Sequence, residues 1–304
     1  MEIKNNRLGD VIRNLALVRD KVPGHYRIRT LVLIPGGAVR GAAINAGQIA
    51  ALTELGFGAD IFRFVVGISS GAAVGAYFMT NDLAQIELGC KFVYERIPKY
   101  VHPNIVTHFG RVFDTPAIEG ELKDGDYAPN LESILESPSN FYAGVMKRKT
   151  GEFLLLNAGD GLIFKKVRAS MTIPWISRGK VFIGGTEFVD GGFYPFPLKD
   201  LIEEFGPTDI LILSNKTEEQ ISKGDIVGKL AKPYVRKYSE EIRSAMGESR
   251  EELFNLDRYE NTNIGVIIPP DTGIDGLTRD PIALRKAIDI SREHTRKIIV
   301  GLLR

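Results

Sequence analysis

Residues 62–79 of the 304-residue chain read FRFVVGISSGAAVGAYFM, and this stretch decides the predicted fold. The apolar run 62–66 predicts a buried strand, and the small-residue run 72–79 predicts a helix. Between them lies Gly67-Ile68-Ser69-Ser70-Gly71, a G-x-S-x-G motif in the strand–turn–helix setting that this motif requires. Such a turn holds Ser69 at the carboxyl edge of a sheet, where a helix N-terminus favours a developing negative charge. Ser69 is therefore the candidate nucleophile, and Gly67 and Gly71 are the candidate supports of the turn. A chance match in a Gly- and Ser-rich turn is the alternative.

A second strand–turn–helix unit comes before the first, with a predicted strand at 31–34 and a predicted helix at 40–55. The turn between them reads PGGAVRG over residues 35–41. Gly36 and Gly41 have P-loop spacing, but alanines at 42 and 43 replace the Lys and Ser/Thr that a P-loop needs, so nucleotide binding is a weak hypothesis. The remaining feature is a cradle of backbone N–H groups at Gly36, Gly37 and Ala38. Next to a nucleophilic serine, such a cradle predicts an oxyanion hole, and a simple packing turn is the alternative.

The choice of proton acceptor is narrow, because the chain has only four histidines: His25, His102, His108 and His294. Only His294 comes late enough for the order serine, acid, histidine. It lies in the polar run 291–297, where a solvated side chain is the ordinary expectation. Asp190 is the better candidate, since it ends a predicted strand at 187–190 and is followed by Gly191 and Gly192. A carboxylate can act as the base if burial raises its pKa and the serine is within reach. An ordinary Asp-Gly turn is the alternative.

Composition excludes several classes of protein. The 39 Lys+Arg residues against 38 Asp+Glu argue against nucleic acid as a partner. Cys90 is the single cysteine, which excludes an intramolecular disulfide and a C-x-x-C motif, and the histidines lack metal-ligand spacing. We therefore predict no metal and no cofactor. Residues 1–20 predict an amphipathic helix and not a signal peptide, and no apolar run is long enough to span a membrane. The predicted location is cytoplasmic or peripheral to a membrane, with signal-independent export left open.

The order of elements predicts an α/β fold with a mainly parallel sheet. We predict one domain over residues 1–304. Residues 88–150 are rich in proline and aromatics, which predicts irregular helices and loops that form a cap or a surface insertion. Further predicted elements are strands at 153–156, 181–184, 209–214 and 263–268, and helices at 163–170, 199–205, 217–260 and 281–304. The last helix carries six Lys/Arg and two acids over 285–304, and either a membrane surface or the sheet is its predicted contact.

Three motifs in this order resemble those of the patatin-like phospholipase family. They are GGAVRG at 36–41 for the family's G-G-G-x-R-G loop, GISSG at 67–71 for its G-x-S-x-G, and DGG at 190–192. The segments ASMTIP at 169–174 and FVDGGFYP at 188–195 also resemble the family's A-S-x-A-x-P and Y-V-D-G-G-x-x-N-P. The resemblance spans about residues 30 to 215, and the ordered set is more specific than any one motif.

The resemblance implies a three-layer α/β/α sandwich and a Ser-Asp dyad without histidine. It makes Ser69 the nucleophile, Asp190 the base and the N–H groups around Gly37 and Ala38 the oxyanion hole, with Arg40 bracing the loop. The chain departs from the family pattern at Ala38, which replaces the third glycine, and after Phe193, where the usual asparagine is absent. An alanine N–H still donates, so Ala38 is unfavourable only where the turn needs a positive φ.

The predicted function is therefore that of a lipid acyl hydrolase of the phospholipase A type, which forms an acyl-serine. Its expected partner is a phospholipid or other acyl-ester lipid, met through peripheral membrane contact. Two alternatives stay open. One is a Ser-His esterase or thioesterase that uses Ser69 and His294. The other is a catalytically degenerate family member that binds lipid or regulates.

Overall fold

The computed structural model describes residues 3, 6–22, 24, 27–102, 104, 107, 111–194, 196–223 and 256–304. The helices predicted over 217–260 lie mostly outside these residues. At the start of that span one short helix, Glu218–Lys223, is described.

The described chain contains an eight-stranded sheet with α-helices around it. Its strands are β1 Thr30–Ile34, β2 Phe64–Ile68, β3 Asn140–Lys147, β4 Phe153–Asn157, β5 Val181–Ile183, β6 Thr186–Asp190, β7 Asp209–Leu213 and β8 Asn263–Ile267. Its α-helices are α1 Leu8–Arg19, α2 Ala38–Glu54, α3 Ser70–Phe78, α4 Leu83–Lys91, α5 Thr115–Asp124, α6 Leu131–Leu135, α7 Ile163–Met171, α8 Leu198–Phe205, α9 Glu218–Lys223 and α10 Pro281–Leu303. The predicted strand and helix positions at both chemistry-bearing turns therefore agree with the structure to within about two residues.

The sheet has the order β5-β6-β3-β2-β1-β7-β8, with β4 paired to β3. Strands β3, β2, β1, β7 and β8 run parallel, and β4, β5 and β6 are antiparallel to their neighbours. This topology confirms the predicted α/β class with a mainly parallel sheet. The carboxyl ends of the parallel strands share one edge, so the turns that follow β1 and β2 lie side by side.

Helices cover both faces of the sheet, which gives the predicted three layers. Alternate residues of β1 point to opposite faces, so Val32 and Ile34 join one apolar cluster while Leu31 and Leu33 join another. Helices α1 to α7 and α10 contribute to the first cluster, and α8 and α9 contribute to the second. Because β1 is apolar from Leu31 to Ile34, both faces gain from burial, at roughly 25 cal/mol per Å² of apolar surface.

Strand β3 corrects the prediction that residues 88–150 are irregular helices and loops. The described residues among 88–139 do form helices, turns and loops, which include α5, α6 and a π-helical turn at Phe92–Arg96. Residues 140–147, however, form a strand inside the central sheet. One edge of β3 pairs with β4, while β2 and β6 share the other edge end to end. The preceding residues are rich in proline and aromatics, which led to the prediction of irregular structure. The strand is identified by its pairing with β2, β4 and β6.

Helix α10 packs against α2, so the described structure gives it a contact within the protein. Its backbone approaches so closely that a Cβ placed on Gly47 of α2 would lie 2.3 Å from the carbonyl oxygen of Ile288. The Ser291 hydroxyl donates to the Ile44 carbonyl at 2.9 Å, and Arg292 pairs with Glu54 and Glu87. Neither α10 nor any other helix in the described residues is long and apolar enough to cross a membrane.

Candidate active site

Ser69 and Asp190 meet because two strands end at the same point along β3. Strand β2 runs parallel to β3 and its last pair joins Ile68 to Gly144, whereas β6 runs antiparallel and its last pair joins Asp190 to Val145. The Ser69 hydroxyl donates a hydrogen bond of 2.6 Å to Asp190 Oδ2. Both residues are buried, with 8% and 3% of their surface exposed. The two side chains that the motifs single out are thus in direct contact.

The turn at Ser69 has the strained geometry that the flanking glycines predict. Ser69 has φ 55° and ψ −131°, a conformation that residues with a Cβ rarely adopt. A Cβ on Gly71 would lie 2.0 Å from the Ile34 carbonyl oxygen, and one on Gly67 would lie 2.5 Å from the Ala72 Cα. Both glycines are therefore required by close backbone approach, which holds Ser69 at the start of α3.

Ser170 anchors this turn, and sequence reasoning assigned it no role. The Ser69 N–H donates to Ser170 Oγ at 2.8 Å, and the Ser170 hydroxyl donates to the Gly144 carbonyl at 2.6 Å. Ser170 is fully buried on α7, so neither bond competes with water. The segment ASMTIP at 169–174, which carries part of the family resemblance, was the available signal.

The Asp190 carboxylate is held by main-chain groups as well as by Ser69. Its Oδ1 accepts from the Gly192 N–H at 2.7 Å, and its own N–H donates to the Thr172 carbonyl at 2.9 Å. Burial raises the pKa of Asp190 to about 7, against the opposing effect of the hydrogen bonds from Ser69 and Gly192. A Cβ on Gly191 would lie 2.5 Å from the Gly144 carbonyl oxygen, so this position also requires glycine. The result is a carboxylate with the basicity of an imidazole.

The glycine-rich loop lies directly against the candidate nucleophile. A Cβ on Gly36 would lie 2.3 Å from the Ser69 Cβ. The Gly37 N–H, predicted to be an oxyanion donor, instead donates to Ser70 Oγ at 3.2 Å. The N–H of Ala38 belongs to the first turn of α2, whose N–H groups have no acceptor within the helix. The loop therefore brings polar N–H groups beside Ser69.

Ala38 stands in a conformation that favours glycine. Its φ is 50°, in the left-handed region where a Cβ costs roughly 1–2 kcal/mol. Alanine at this position is unfavourable where the turn needs a positive φ, and the structure has that positive φ. The alanine keeps its N–H, so the departure from the family pattern strains the turn without removing a donor.

Asn215 holds the glycine loop from behind, and sequence reasoning did not identify it. Its Nδ2 donates to the Pro35 carbonyl at 2.8 Å and lies 3.3 Å from Asn45 Oδ1. A Cβ on Gly37 would lie 2.8 Å from Asn215 Oδ1, so the Asn215 side chain has room in this position only because residue 37 is glycine. The network extends to the end of β7, because Asn45 and Gln48 of α2 donate to the Leu213 and Ser214 carbonyls at 2.7 Å and 2.9 Å.

The two other predicted supports of the loop, Arg40 and Gly41, lie at the start of α2. Arg40 is buried, with 7% of its surface exposed. A Cβ on Gly41 would lie 2.9 Å from Ser70 Oγ, and the Gly41 N–H donates to the Gly37 carbonyl at 2.9 Å. Gly41 therefore lets the first turn of α2 approach the Ser69–Ser70 turn.

An apolar cavity opens beside Ser69. It holds about 750 Å³ of empty space, part of which is open to solvent. Ser69 and Ser70 lie in its wall, together with side chains of α2, α3, α4 and α5. Apart from the hydroxyl groups of these two serines, Tyr77 and Thr115, the lining side chains are apolar. The cavity therefore suits a hydrocarbon chain attached to a group that reaches Ser69.

Residues 32–202, more than half of the chain, match the patatin-like phospholipase family. The chain belongs to this family. The resemblance seen in the motifs is thereby confirmed.

Solved structures of similar fold include phospholipases and bacterial proteins. VipD from Legionella pneumophila is 14% identical with a TM-score of 0.43, and the match covers 90% of this chain and 67% of VipD. Human GIVD cytosolic phospholipase A2 in complex with methyl gamma-linolenyl fluorophosphonate is 11% identical with a TM-score of 0.47, covering 98% of this chain and 62% of that one. The type III effector ExoU is 15% identical with a TM-score of 0.33, covering 90% and 54%. The chain thus spans about two thirds or less of these proteins. No curated protein sequence matches it.

His294 does not lie at the site of this patatin-like chain. Its Nε2 is 2.9 Å from the carbonyl oxygen of Ile268, just after β8. Strand β8 is three strands from β2, or about 14 Å at the usual strand spacing. His25 and His108 fall outside the described residues.

Cys90 is buried outside the cavity wall. Burial raises the pKa of its thiol to about 12, so it is not a reactive thiolate. Within the described ranges, no three His, Cys, Asp or Glu side chains are grouped in a way that could hold a metal ion.

Proposed function

We propose that the protein hydrolyses acyl esters of lipids through an acyl-serine intermediate, with Ser69 and Asp190 as a catalytic dyad. The observation that carries this proposal is the 2.6 Å hydrogen bond from the buried Ser69 hydroxyl to the buried Asp190 carboxylate, beside an apolar cavity. Membership of the patatin-like phospholipase family supports lipid acyl hydrolysis in general.

In the first half of the proposed reaction, Ser69 Oγ attacks the ester carbonyl carbon while Asp190 Oδ2 takes the hydroxyl proton. The carbonyl oxygen becomes the oxyanion of a tetrahedral intermediate. When that intermediate collapses, the bond to the alcohol oxygen breaks. The alcohol leaves with the proton from Asp190, and the acyl group stays on Ser69.

In the second half, a water molecule takes the place of the alcohol. Asp190 accepts a proton from this water as its oxygen attacks the acyl carbon. Collapse of the second tetrahedral intermediate releases the fatty acid, and the proton returns to Ser69 Oγ. The carboxylate therefore ends the cycle in the state in which it began.

The oxyanion is stabilised by backbone N–H groups of Gly36, Gly37 and Ala38. The hydrogen bond from Gly37 to Ser70 Oγ is long, at 3.2 Å, so a charged oxygen competes well for this donor. One such donor is typically worth about 3–4 kcal/mol of transition-state stabilisation. Asn215 and Gly41 keep the loop in position for this contact.

The proposed substrate is a phospholipid or another acyl-ester lipid, with one acyl chain in the apolar cavity. Lipids of this kind reside in bilayers, so we also propose that the protein works at a membrane surface. Its predicted location is cytoplasmic or peripheral to the membrane.

Three variants test the dyad, assayed on a panel of acyl-ester lipids and by labelling with a serine-reactive fluorophosphonate. Ser69→Ala removes the nucleophile and should abolish both hydrolysis and labelling. Asp190→Asn removes the base and should reduce hydrolysis by several orders of magnitude. His294→Ala is the matched control and should keep full activity.

Two outcomes would contradict the dyad. Loss of hydrolysis in His294→Ala together with retained hydrolysis in Asp190→Asn would favour the Ser-His esterase. Absence of a Ser69 adduct and of Ser69-dependent hydrolysis would favour a lipid-binding or regulatory role.

A further inference from the structure

We propose that one face of helix α2 sets the length of the acyl chain that the protein accepts. The positions that define this face are Ala42, Ala46 and Ile49, which we call the α2 ruler. The inference rests on the proposed function, and it identifies the residues that select among substrates of that site.

Helices α2 and α3 lead away from the dyad side by side. Both begin at the carboxyl edge of the sheet, α2 after β1 and α3 after β2, and they pack against each other. The cavity is lined by residues of α2 at 38, 39, 42, 46 and 49 and by residues of α3 at 70, 73, 74 and 77. Both sets have the three- and four-residue spacing of a single helix face. The cavity therefore follows the length of two helices and starts at Ser69.

Distance along α2 converts to depth in the cavity. At a rise of 1.5 Å per residue, Ala42, Ala46 and Ile49 lie about 6, 12 and 16 Å beyond Ala38 along the helix axis. Ala38 adjoins the dyad through the glycine loop, so these values approximate how far a chain attached at Ser69 has travelled. The three side chains thus mark successive depths.

The side chains change from small to large along this path. The first two positions are alanines, which leave room for a chain to pass. The third, Ile49, is the last cavity residue on α2, and Ile86 of α4 joins it in the cavity wall. Each isoleucine is only 1% exposed and is held by the packed core. Gly89 of α4 packs directly on the Tyr77 ring, with its Cβ position 2.7 Å from Tyr77 Cγ, so α4 cannot recede there without losing this contact.

Added bulk at an earlier position should therefore shorten the accepted chain. Each methylene that is kept out of the cavity costs about 0.8 kcal/mol, which corresponds to about a four-fold loss in kcat/KM. Ala42→Leu should have the strongest effect on long chains, and Ala46→Leu should have a weaker one. Ile49→Ala should have the opposite effect, because it deepens the cavity.

The experiment measures kcat/KM on a series of p-nitrophenyl esters from butyrate to palmitate. For Ala46→Leu we expect at least a ten-fold fall in the ratio of kcat/KM for the palmitate ester to kcat/KM for the butyrate ester. Ala42→Leu should lower the ratio further, and Ile49→Ala should raise it. Ala283→Leu is the matched control, since Ala283 of α10 is half-buried and is not part of the cavity wall.

The expected order of chain preference is Ala42→Leu, Ala46→Leu, parent, Ile49→Ala, from shortest to longest. Ala46→Val and Ile49→Val make the same changes on a smaller scale, with the same signs, should a larger change prevent folding. Unchanged preference in folded Ala46 and Ile49 variants would overturn the ruler while leaving the dyad intact, provided that Ser69→Ala is inactive. Hydrolysis that persists in Ser69→Ala would instead overturn the proposed function itself.

Discussion

The hydroxyl of Ser69, the proposed nucleophile, donates its hydrogen bond to a carboxylate and not to an imidazole. An exposed aspartate is too weak a base for this role, but burial raises the pKa of Asp190 to about 7. The two hydrogen bonds that Asp190 accepts, from Ser69 and Gly192, keep this pKa from rising further. The burial of Asp190 therefore gives the proposed proton acceptor a pKa suited to that role.

The pH dependence of hydrolysis follows from this pKa. Only the ionised form of Asp190 accepts the Ser69 proton, so kcat/KM should fall as pH drops, with a midpoint near pH 7, and should level off above it. The measurement is a pH profile on a short-chain ester. The profile of His294→Ala should coincide with that of the parent, and a midpoint near pH 4 would contradict a buried base.

Ala38→Gly should stabilise the protein. The substitution removes the cost of a Cβ at φ 50° and adds some unfolded-state entropy, so the expected gain is up to about 1 kcal/mol in the free energy of unfolding. Urea denaturation measures it. Ala43→Gly, a change inside the same helix without positive φ, should lose about 1 kcal/mol or more. Destabilisation by Ala38→Gly would contradict the strain.

The side-chain amide of Asn215, which follows β7, holds the loop between β1 and α2 in place. The position of the loop therefore depends on β7 as well as on its own two flanking elements. Asn215→Ala leaves the Pro35 carbonyl without this donor and releases the loop. We expect kcat to fall by about ten- to a hundred-fold with KM little changed, because the loss acts on the oxyanion. Asn263→Ala, which breaks an amide contact with Asp209 at the opposite sheet edge, should leave kcat unchanged. A change confined to KM in Asn215→Ala would contradict the assignment.

Close packing of α2 on α10 makes the pair sensitive to a single methyl group. Gly47→Ala places a Cβ against the Ile288 backbone, so the helices must separate, and we expect a loss of about 1–3 kcal/mol. Gly301→Ala in α10 meets no atom within 4 Å and should gain about 0.5–1 kcal/mol through helix propensity. Thermal unfolding of both variants tests the contact, and equal shifts would contradict it.

The sequence was most informative where local pattern and chemistry coincide. The predicted strands at 31–34 and 62–66 are short apolar runs followed by turns that contain glycine. Small residues then mark the helix that follows each turn. Strand β3 was missed because its run follows a proline-rich segment and its edges are defined only by pairing with β2, β4 and β6. Ser170 and Asn215 were missed for a related reason, since they bond to main-chain groups of residues more than 25 positions away, which no local motif records.

For the whole molecule, burial of the ionised Asp190 carboxylate lowers the free energy of unfolding. The folded pKa of Asp190 lies above its unfolded value, so the folded state binds more protons between about pH 4 and pH 7 and loses stability as pH rises through this window. Asp190→Asn removes the ionisation while its amide oxygen still accepts from Gly192. We expect the variant to unfold at a higher temperature than the parent at pH 8, and the difference to shrink towards pH 4. A difference that is independent of pH would contradict a buried ionised carboxylate.

Strands β2 and β3 are neighbours, yet the chain between them passes through Ser69 and α3 and then makes a long excursion through α4, α5 and α6. The segment of α4, α5 and α6 supplies part of the cavity wall, from Ile86 to Ile118, whereas Ser69, Asp190 and the glycine loop lie outside it. In the proposed mechanism this segment therefore contributes to the cavity wall, together with the α2 ruler, and supplies no reacting group. A library of substitutions confined to residues 82–139 would change which lipids enter while the reaction chemistry stays the same, which makes this crossover the natural place to engineer selectivity.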